Sequence, residues 1–224
     1  EARFTGCQID GGYANYCVAD ARYCFPLPEE PSPVSLAPLL CAGLIGYRAL
    51  RFAGNARRIG LFGFGAAAHL VAQVASAEGR EVFAFTREGD TKSQAFALSQ
   101  GALWAGSSEQ AAPEALDAAL IFAPVGSLVP IALRAVEKGG IVVCAGIHMS
   151  DIPSFPYAWL WGERQIRSVA NLTRADGNAF FAHVARHPIA THTTVFPLAQ
   201  ANAALHQVPE PHLPGAAALA PSHT

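Results

Sequence analysis

Between residues 58 and 168, short apolar runs alternate with stretches that have the spacing of amphipathic helices. The apolar runs predict strands in the segments RIGLFGFG, REVFAFTR, LWAG, LDAALIFAP, IVVCAG and QIRSVAN. The stretches between them predict helices in AAAHLVAQVASAEG, TKSQAFALSQG, residues 108–116 and LVPIALRAVEKGG. Strands that alternate with helices form a parallel sheet covered on both faces, so the pattern predicts a doubly wound α/β domain.

The segments before and after this region have other patterns. Residues 1–27 alternate polar and apolar side chains after the turn glycines of GGYANYCVAD, which predicts a β-ribbon. Ser35 to Phe52 is apolar and predicts a helix that two glycines interrupt. After residue 173 we predict an amphipathic helix that stops at Pro188, then a strand, a further helix and a final strand in GAAALAP.

The composition narrows the class of protein. The chain is 51% hydrophobic and 14% charged, which indicates a folded protein. Its formal net charge is -2 and its basic residues are scattered, so we predict no nucleic-acid partner and no anionic membrane surface. No apolar run reaches the roughly 18 residues that a membrane span needs. Five cysteines without a C-x-x-C pair, and no signal-peptide pattern, favour a reduced cytoplasmic protein.

A glycine-rich turn follows the first predicted strand. Gly63 permits a tight turn, Gly65 lets the backbone approach a pyrophosphate, and Ala68 keeps the next helix close to the sheet. The helix N-terminus then presents free N–H groups and a positive dipole end to the anion. Because strand, turn and helix occur in the required order, the motif predicts dinucleotide binding, with a purely structural turn as the alternative. The residues of this turn are Gly63, Phe64, Gly65, Ala66, Ala67 and Ala68.

The end of the second predicted strand indicates which dinucleotide is bound. An NAD site carries Asp or Glu there, on the ribose 2′-hydroxyl. This chain has Thr86 and Arg87 instead, and Glu88 and Asp90 come slightly late. A hydroxyl followed by a guanidinium suits a 2′-phosphate, so NADP(H) is favoured over NAD(H). A solvated loop arginine is the alternative.

Ligands of doubly wound sheets bind beyond the carboxyl ends of the strands. Ala123 follows the fourth predicted strand, and Gly146 and Ile147 follow the fifth, so these three are candidate cofactor contacts. His148 comes next and could line the cofactor pocket.

Cys41 lies in the apolar run APLLCAGLIGY. Its thiol could pack as a small hydrophobic group or bind a metal, and one cysteine cannot decide between the two. His183 and His187 are four residues apart on one predicted helix face, which permits a metal pair. No third ligand is evident, so a solvated face is the simpler interpretation.

Several segments together resemble the zinc-containing medium-chain alcohol dehydrogenases. They are DGGYANYCVAD, APLLCAG, GLFGFGAAAHLVAQVA, KGGIVVCAGI and FPLAQANAALHQV, in this order and spacing. The resemblance covers nearly the whole chain. It implies a Rossmann domain joined to part of a discontinuous, mainly β, GroES-like catalytic domain. Residues 1–43 and 174–224 would belong to the catalytic domain and residues 44–173 to the cofactor domain.

The resemblance also implies a site and a reaction. Cys41 matches the third ligand of the family's catalytic zinc, whereas the segments with the first Cys, the His and the Glu would precede this chain. The complete protein would hold Zn²⁺, transfer hydride between NAD(P) and a small-molecule alcohol or aldehyde, and form a homo-oligomer. The fragment by itself would be inactive.

Two alternatives remain. Zinc-free quinone or enoyl reductases of the same superfamily lack the ligand that corresponds to Cys41, so its presence argues against them. A non-catalytic nucleotide-binding remnant is the alternative from another class.

Overall fold

The computed structural model describes residues 3–27, 31–207 and 215–221. A six-stranded sheet lies at its centre, and all its neighbouring strands pair in parallel. The strands are β1 (Arg58–Phe62), β2 (Glu81–Thr86), β3 (Trp104–Ser107), β4 (Leu116–Ile121), β5 (Val136–Cys144) and β6 (Gln165–Ser168). Their order, β3-β2-β1-β4-β5-β6, is that of a doubly wound sheet, which confirms the predicted fold class.

Helices cover both faces of this sheet. The α-helices of the described residues are α1 (Pro33–Leu36), α2 (Ala42–Phe52), α3 (Ala66–Ala77), α4 (Thr91–Ser99), α5 (Leu128–Ala135), α6 (Tyr157–Leu160), α7 (Arg174–Arg186) and α8 (Ala201–Gln207), the last of which packs on β7 and β8 instead. Short 3₁₀ helices occupy Ala21–Tyr23, Ala37–Leu40 and Leu198–Gln200. The last strands, β7 (Thr193–Pro197) and β8 (Ala216–Ala220), pair in parallel with each other in a separate two-stranded sheet.

The central strand β1 is buried on both faces. Ile59 and Leu61 face a core formed with α2, α3, α4 and α7. Phe62 points to the opposite core, formed with α5, where its ring stacks on that of Phe85 at 4.1 Å between centroids. A Cβ at Gly60 would come within 2.5 Å of a Leu116 methyl carbon, so a larger residue there would force the buried Leu116 side chain to move.

The predicted β-ribbon at the start of the chain is wrong. The described residues 3–27 contain only an isolated bridge between Thr5 and Ile9 and a short 3₁₀ helix. Tyr16 and Val18 are 92% and 91% exposed. An alternating pattern forms a strand only beside a partner strand and against a core. Among the described residues no partner strand lies beside this segment, and only Phe25 and Leu27, near its end, pack against the core.

Two predicted helices between β3 and β5 also need correction. Residues 108–115 form turns and coil, and Leu116 begins β4. There the Ser107 hydroxyl accepts the N–H of Glu109 at 3.2 Å, a local bond that competes with helix formation, and Pro113 lacks an N–H. The helix predicted over 128–140 ends at Ala135, because Val136 is extended, buried and paired with Leu116 of β4.

The helix predicted from Ser35 to Phe52 is present but broken. The chain forms α1 and a 3₁₀ turn, breaks at Cys41 and continues as α2. Among the described residues no single helix is long and apolar enough to cross a membrane, although Pro33–Leu40 and Ala42–Phe52, bent by 43°, together pass the same test of length and composition.

Candidate cofactor site

The turn after β1 requires glycine at its first position. Gly63 has a φ of +87°, which disfavours any residue with a side chain. A Cβ at this position would lie 2.8 Å from the Cβ of Ala123 and 2.9 Å from its backbone nitrogen. The loop after β1 therefore lies directly against the loop after β4.

The second glycine leaves open space at the start of α3. Gly65 is the N-cap of this helix, and a Cβ there would have no heavy atom within 4 Å. No side chain caps the helix and its first turn carries no acidic residue. The first N–H groups of a helix have no acceptor within the helix, and the dipole favours an anion beside them. The arrangement can therefore bind a phosphate group.

The loops after β4 and β5 complete this edge of the sheet. A Cβ at Gly146 would lie 3.1 Å from the Ala123 carbonyl oxygen, so these loops touch. Ile147 is 76% exposed, and exposed His148 has a φ of +56°. The structure thus brings Gly63, Ala123 and Gly146 together, with Ile147 beside them.

A further contact between these loops was not evident from the sequence. The N–H of Gly126 donates to the Ser150 hydroxyl at 2.9 Å. A Cβ at Gly126 would come within 2.2 Å of the Asp151 carbonyl oxygen. This contact holds the loop after β4 against the loop after β5. Gly126 is the only sequence signal for this contact, and a single glycine does not indicate which residue it contacts.

The two residues predicted for a 2′-phosphate lie in different environments. Thr86 is 5% exposed, and its hydroxyl accepts from the Gln94 amide at 3.1 Å and lies 3.1 Å from the Arg87 carbonyl oxygen. Arg87 is exposed, and its guanidinium forms no ion pair or hydrogen bond with the described residues. The structure therefore does not bring the Thr86 hydroxyl to the surface where the guanidinium lies.

One of the two acidic residues in this loop, Asp90, already has a partner. The Asp90 carboxylate caps α4 by accepting the N–H of Ser93 at 3.0 Å. A carboxylate used as a helix cap is less available to a ribose hydroxyl. Glu88 is exposed in the same loop.

Cys41 is exposed, at the break before α2. Leu39 and Leu44 on either side of it are in the core, but the cysteine points away, so the interpretation as a small core residue is wrong. In the part of the chain that the structure describes, no three His, Cys, Asp or Glu residues are placed to hold a metal ion. The described residues therefore do not form a zinc site by themselves.

The His183 and His187 rings on α7 have centroids 4.9 Å apart, without a third ligand among the described residues. His183 is 7% exposed, and burial lowers the pKa of its ring. The prediction of a solvated face is therefore wrong for His183, whereas His187 is exposed, and the pair shows no metal-binding geometry beyond its helical spacing.

The strand order, the glycine turn at the end of β1 and the open N-terminus of α3 define a Rossmann domain. A scan against models of known protein families found no match. Among curated proteins, a Mycobacterium tuberculosis protein named "Probable alcohol dehydrogenase AdhA" is 46% identical over 222 residues, which cover 98% of this chain and 64% of that protein. The curated proteins that match this chain are alcohol dehydrogenases, and the chain is similar to them as a partial sequence.

Solved structures share the fold. CAD from Helicobacter pylori, complexed with NADP(H), has 22% identity and a TM-score of 0.80 over 93% of this chain and 61% of that one. A cobalt- and zinc-bound thermostable alcohol dehydrogenase from Pyrobaculum aerophilum has 22% identity and a TM-score of 0.82 over 96% and 65%. The matches therefore include the segments that flank the six-stranded sheet. The chain spans less than two thirds of the length of each of these three proteins.

Proposed function

We propose that this chain supplies the dinucleotide-binding part of an NAD(P)-dependent alcohol dehydrogenase that acts on a small-molecule alcohol or aldehyde. The observation that carries the proposal is the turn from Gly63 to Gly65, in which one glycine fits against Ala123 and the other leaves open space before α3. The nicotinamide, when bound, accepts or gives the hydride. This chain's residues bind the dinucleotide and orient it.

The turn fits a pyrophosphate through backbone groups. The N–H groups of Ala66 and Ala67 lie in the first turn of α3, where they have no helical acceptor. They would donate to the phosphate oxygens, and Gly65 would allow the close approach. Ala123, Gly146 and Ile147, at the same edge of the sheet, would contact the remainder of the cofactor.

The proposed preference is for NADP(H) over NAD(H). Its support is that Arg87 is exposed with no partner among the described residues, while the carboxylate of Asp90 is engaged as a helix cap. Because the Thr86 hydroxyl faces inward, the proposal assigns the 2′-phosphate to Arg87. An arginine binds a phosphate through a planar fork of N–H groups.

The zinc dependence of the complete protein is a separate part of the proposal. Cys41 would be one ligand, supported by its exposure at the break before α2. The other ligands would lie outside the described residues. The division into residues 1–43, 44–173 and 174–224, a homo-oligomeric state and a cytoplasmic location stay predictions.

The proposal is tested by measuring dissociation constants of NADPH and NADH for the full-length protein and for Arg87→Ala. A charge-assisted hydrogen bond contributes about 1.5–3 kcal/mol, so the variant should bind NADPH about one to two decades more weakly and NADH equally well. Lys138→Ala removes the same charge at the opposite edge of the sheet and should change neither constant. Equal losses for both dinucleotides would reject the role of Arg87, and no binding of either would reject the function.

A further inference from the structure

A histidine beside the glycine-rich turn is completely buried. His69 lies in α3 four residues after Gly65 and has no exposed surface. Its ring packs near the rings of Phe96 and His192, with centroids 5.7 Å and 5.9 Å away. Its Nδ1 lies 3.2 Å from the Gly65 carbonyl oxygen, which also accepts the backbone N–H of His69 at 3.1 Å.

These contacts determine where the ring carries its proton. A carbonyl oxygen can only accept, so Nδ1 must be the protonated nitrogen. Nε2 is then bare, and this buried atom has no hydrogen-bond partner among the described residues. Burial lowers the pKa of His69, and His192, the titratable side chain that faces it, lowers it further, while the contact with Gly65 opposes both effects. The ring is therefore neutral near pH 7.

The carbonyl that His69 binds belongs to the peptide group between Gly65 and Ala66. A peptide group is planar, so fixing the direction of its C=O also fixes the direction of its N–H on the opposite side. That N–H is the first donor of α3, next to Gly65, where a Cβ would meet no heavy atom within 4 Å. Glycine has more backbone conformations available than any other residue. A second hydrogen bond to the Gly65 carbonyl therefore restricts the orientation of this peptide more than it would at another residue.

Building on the proposed function, we propose that His69 is a positioning residue of the dinucleotide site. Its Nδ1–H holds the Gly65 carbonyl, and thereby directs the Ala66 N–H towards the pyrophosphate. His69 itself does not touch the cofactor. It orders the turn before binding, so less of the binding free energy is lost in ordering it afterwards.

Titrations of the full-length protein with NADPH test this role. His69→Leu keeps a side chain of comparable bulk in the buried site and removes the donor, so it should bind NADPH about threefold to tenfold more weakly. His69→Asn places an amide N–H near the position of Nδ1 and should stay within about twofold of the wild type. Gln73→Leu is the matched control. It lies one turn further along α3 and its amide bonds Ala190, so it should lower the denaturation midpoint without changing NADPH affinity.

A nitrogen-15 NMR spectrum of the imidazole supplies a readout independent of binding, and it should show protonated Nδ1 and bare Nε2. The inference is overturned if the spectrum shows the opposite tautomer, if His69→Leu binds as tightly as the wild type, or if His69→Asn is as weak as His69→Leu. Wild-type protein that binds neither NADPH nor NADH would reject the proposed function, and this inference with it. Wild-type binding with unchanged variants would reject only the inference.

Discussion

The six-stranded sheet and the segment at residues 3–27 are two regions for which the apolar pattern predicted strands, and only the sheet forms them. In the sheet every strand hydrogen-bonds to a neighbour, and most of the apolar side chains of its inner strands are buried. In the segment at residues 3–27, large apolar side chains such as Tyr16 and Val18 face solvent and no regular strand forms. The difference teaches that apolar alternation predicts a strand only where the chain itself supplies the neighbour and the core.

The largest expected effect comes from overpacking the sheet. Gly60→Val would place side-chain atoms where a Cβ alone meets a Leu116 methyl carbon at 2.5 Å, so we expect a loss of about 3 kcal/mol in the free energy of unfolding. Tyr16→Ser should change it by less than about 0.5 kcal/mol. Urea denaturation of both variants measures the difference between their free energies of unfolding. A large loss in Tyr16→Ser would mean that the Tyr16 side chain packs against a surface, and the contrast between the two regions would disappear.

The second prediction separates stability from binding at two glycines of one turn. Gly63→Ala should cost about 2 kcal/mol, because the position has a φ of +87° and no room beside Ala123. Gly65→Ala should leave the stability within about 0.5 kcal/mol, because the added Cβ meets nothing within 4 Å. It should weaken NADPH binding at least about tenfold, since the Cβ would occupy the space proposed for the pyrophosphate. Unchanged NADPH affinity in Gly65→Ala would place the pyrophosphate elsewhere.

The smallest effect on stability is expected at Asp117, at the opposite edge of the sheet. Its carboxylate accepts the backbone N–H groups of Arg57 and Arg58 at 2.9 and 2.8 Å, and it accepts a hydrogen bond from the Arg58 guanidinium at 2.9 Å. Burial alone would raise the pKa of this carboxyl, but these bonds outweigh it and lower the pKa. The stabilisation is therefore complete above the ordinary carboxyl pKa of about 4 and is lost as the pH falls through the lower folded value.

Asp117→Asn should lose about 1 kcal/mol at neutral pH and show a flatter decline in stability below about pH 4. Denaturation midpoints between pH 2 and 7, for this variant and the wild type, measure the difference. Parallel curves for the two proteins would show that Asp117 does not contribute to the acid sensitivity of the sheet.

The sequence was sufficient for the sheet, because the strands of a buried parallel sheet are continuous apolar runs that need no knowledge of their neighbours. It also located Gly63, whose requirement for a positive φ is local. It was insufficient where distant contacts decide the structure. The inward direction of the Thr86 hydroxyl depends on Gln94 of α4, and the end of α5 depends on the pairing of Val136 with β4.

The exposure of Cys41 illustrates the same limit. Its neighbours Leu39 and Leu44 are apolar and buried, so the run alone indicates a core residue. At the break between the 3₁₀ turn and α2, Cys41 faces outward together with Leu40, which is 43% exposed, and the apolar run does not predict this break. The family resemblance, by contrast, predicts a metal-ligand role for Cys41, which local composition does not.

The contact between Gly63 and Ala123 also bears on how such a chain can change over evolutionary time. The two positions share one small volume, so a larger residue at either of them excludes its counterpart. A substitution at position 123 is therefore coupled to the residue at position 63, 60 residues away in sequence. We expect the two positions to be substituted together or to remain unchanged. Arg87, whose side chain contacts none of the described residues by ion pair or hydrogen bond, is under no such constraint. If Arg87 binds the 2′-phosphate as proposed, single substitutions at this position would shift the cofactor preference and leave the glycine-rich turn unchanged.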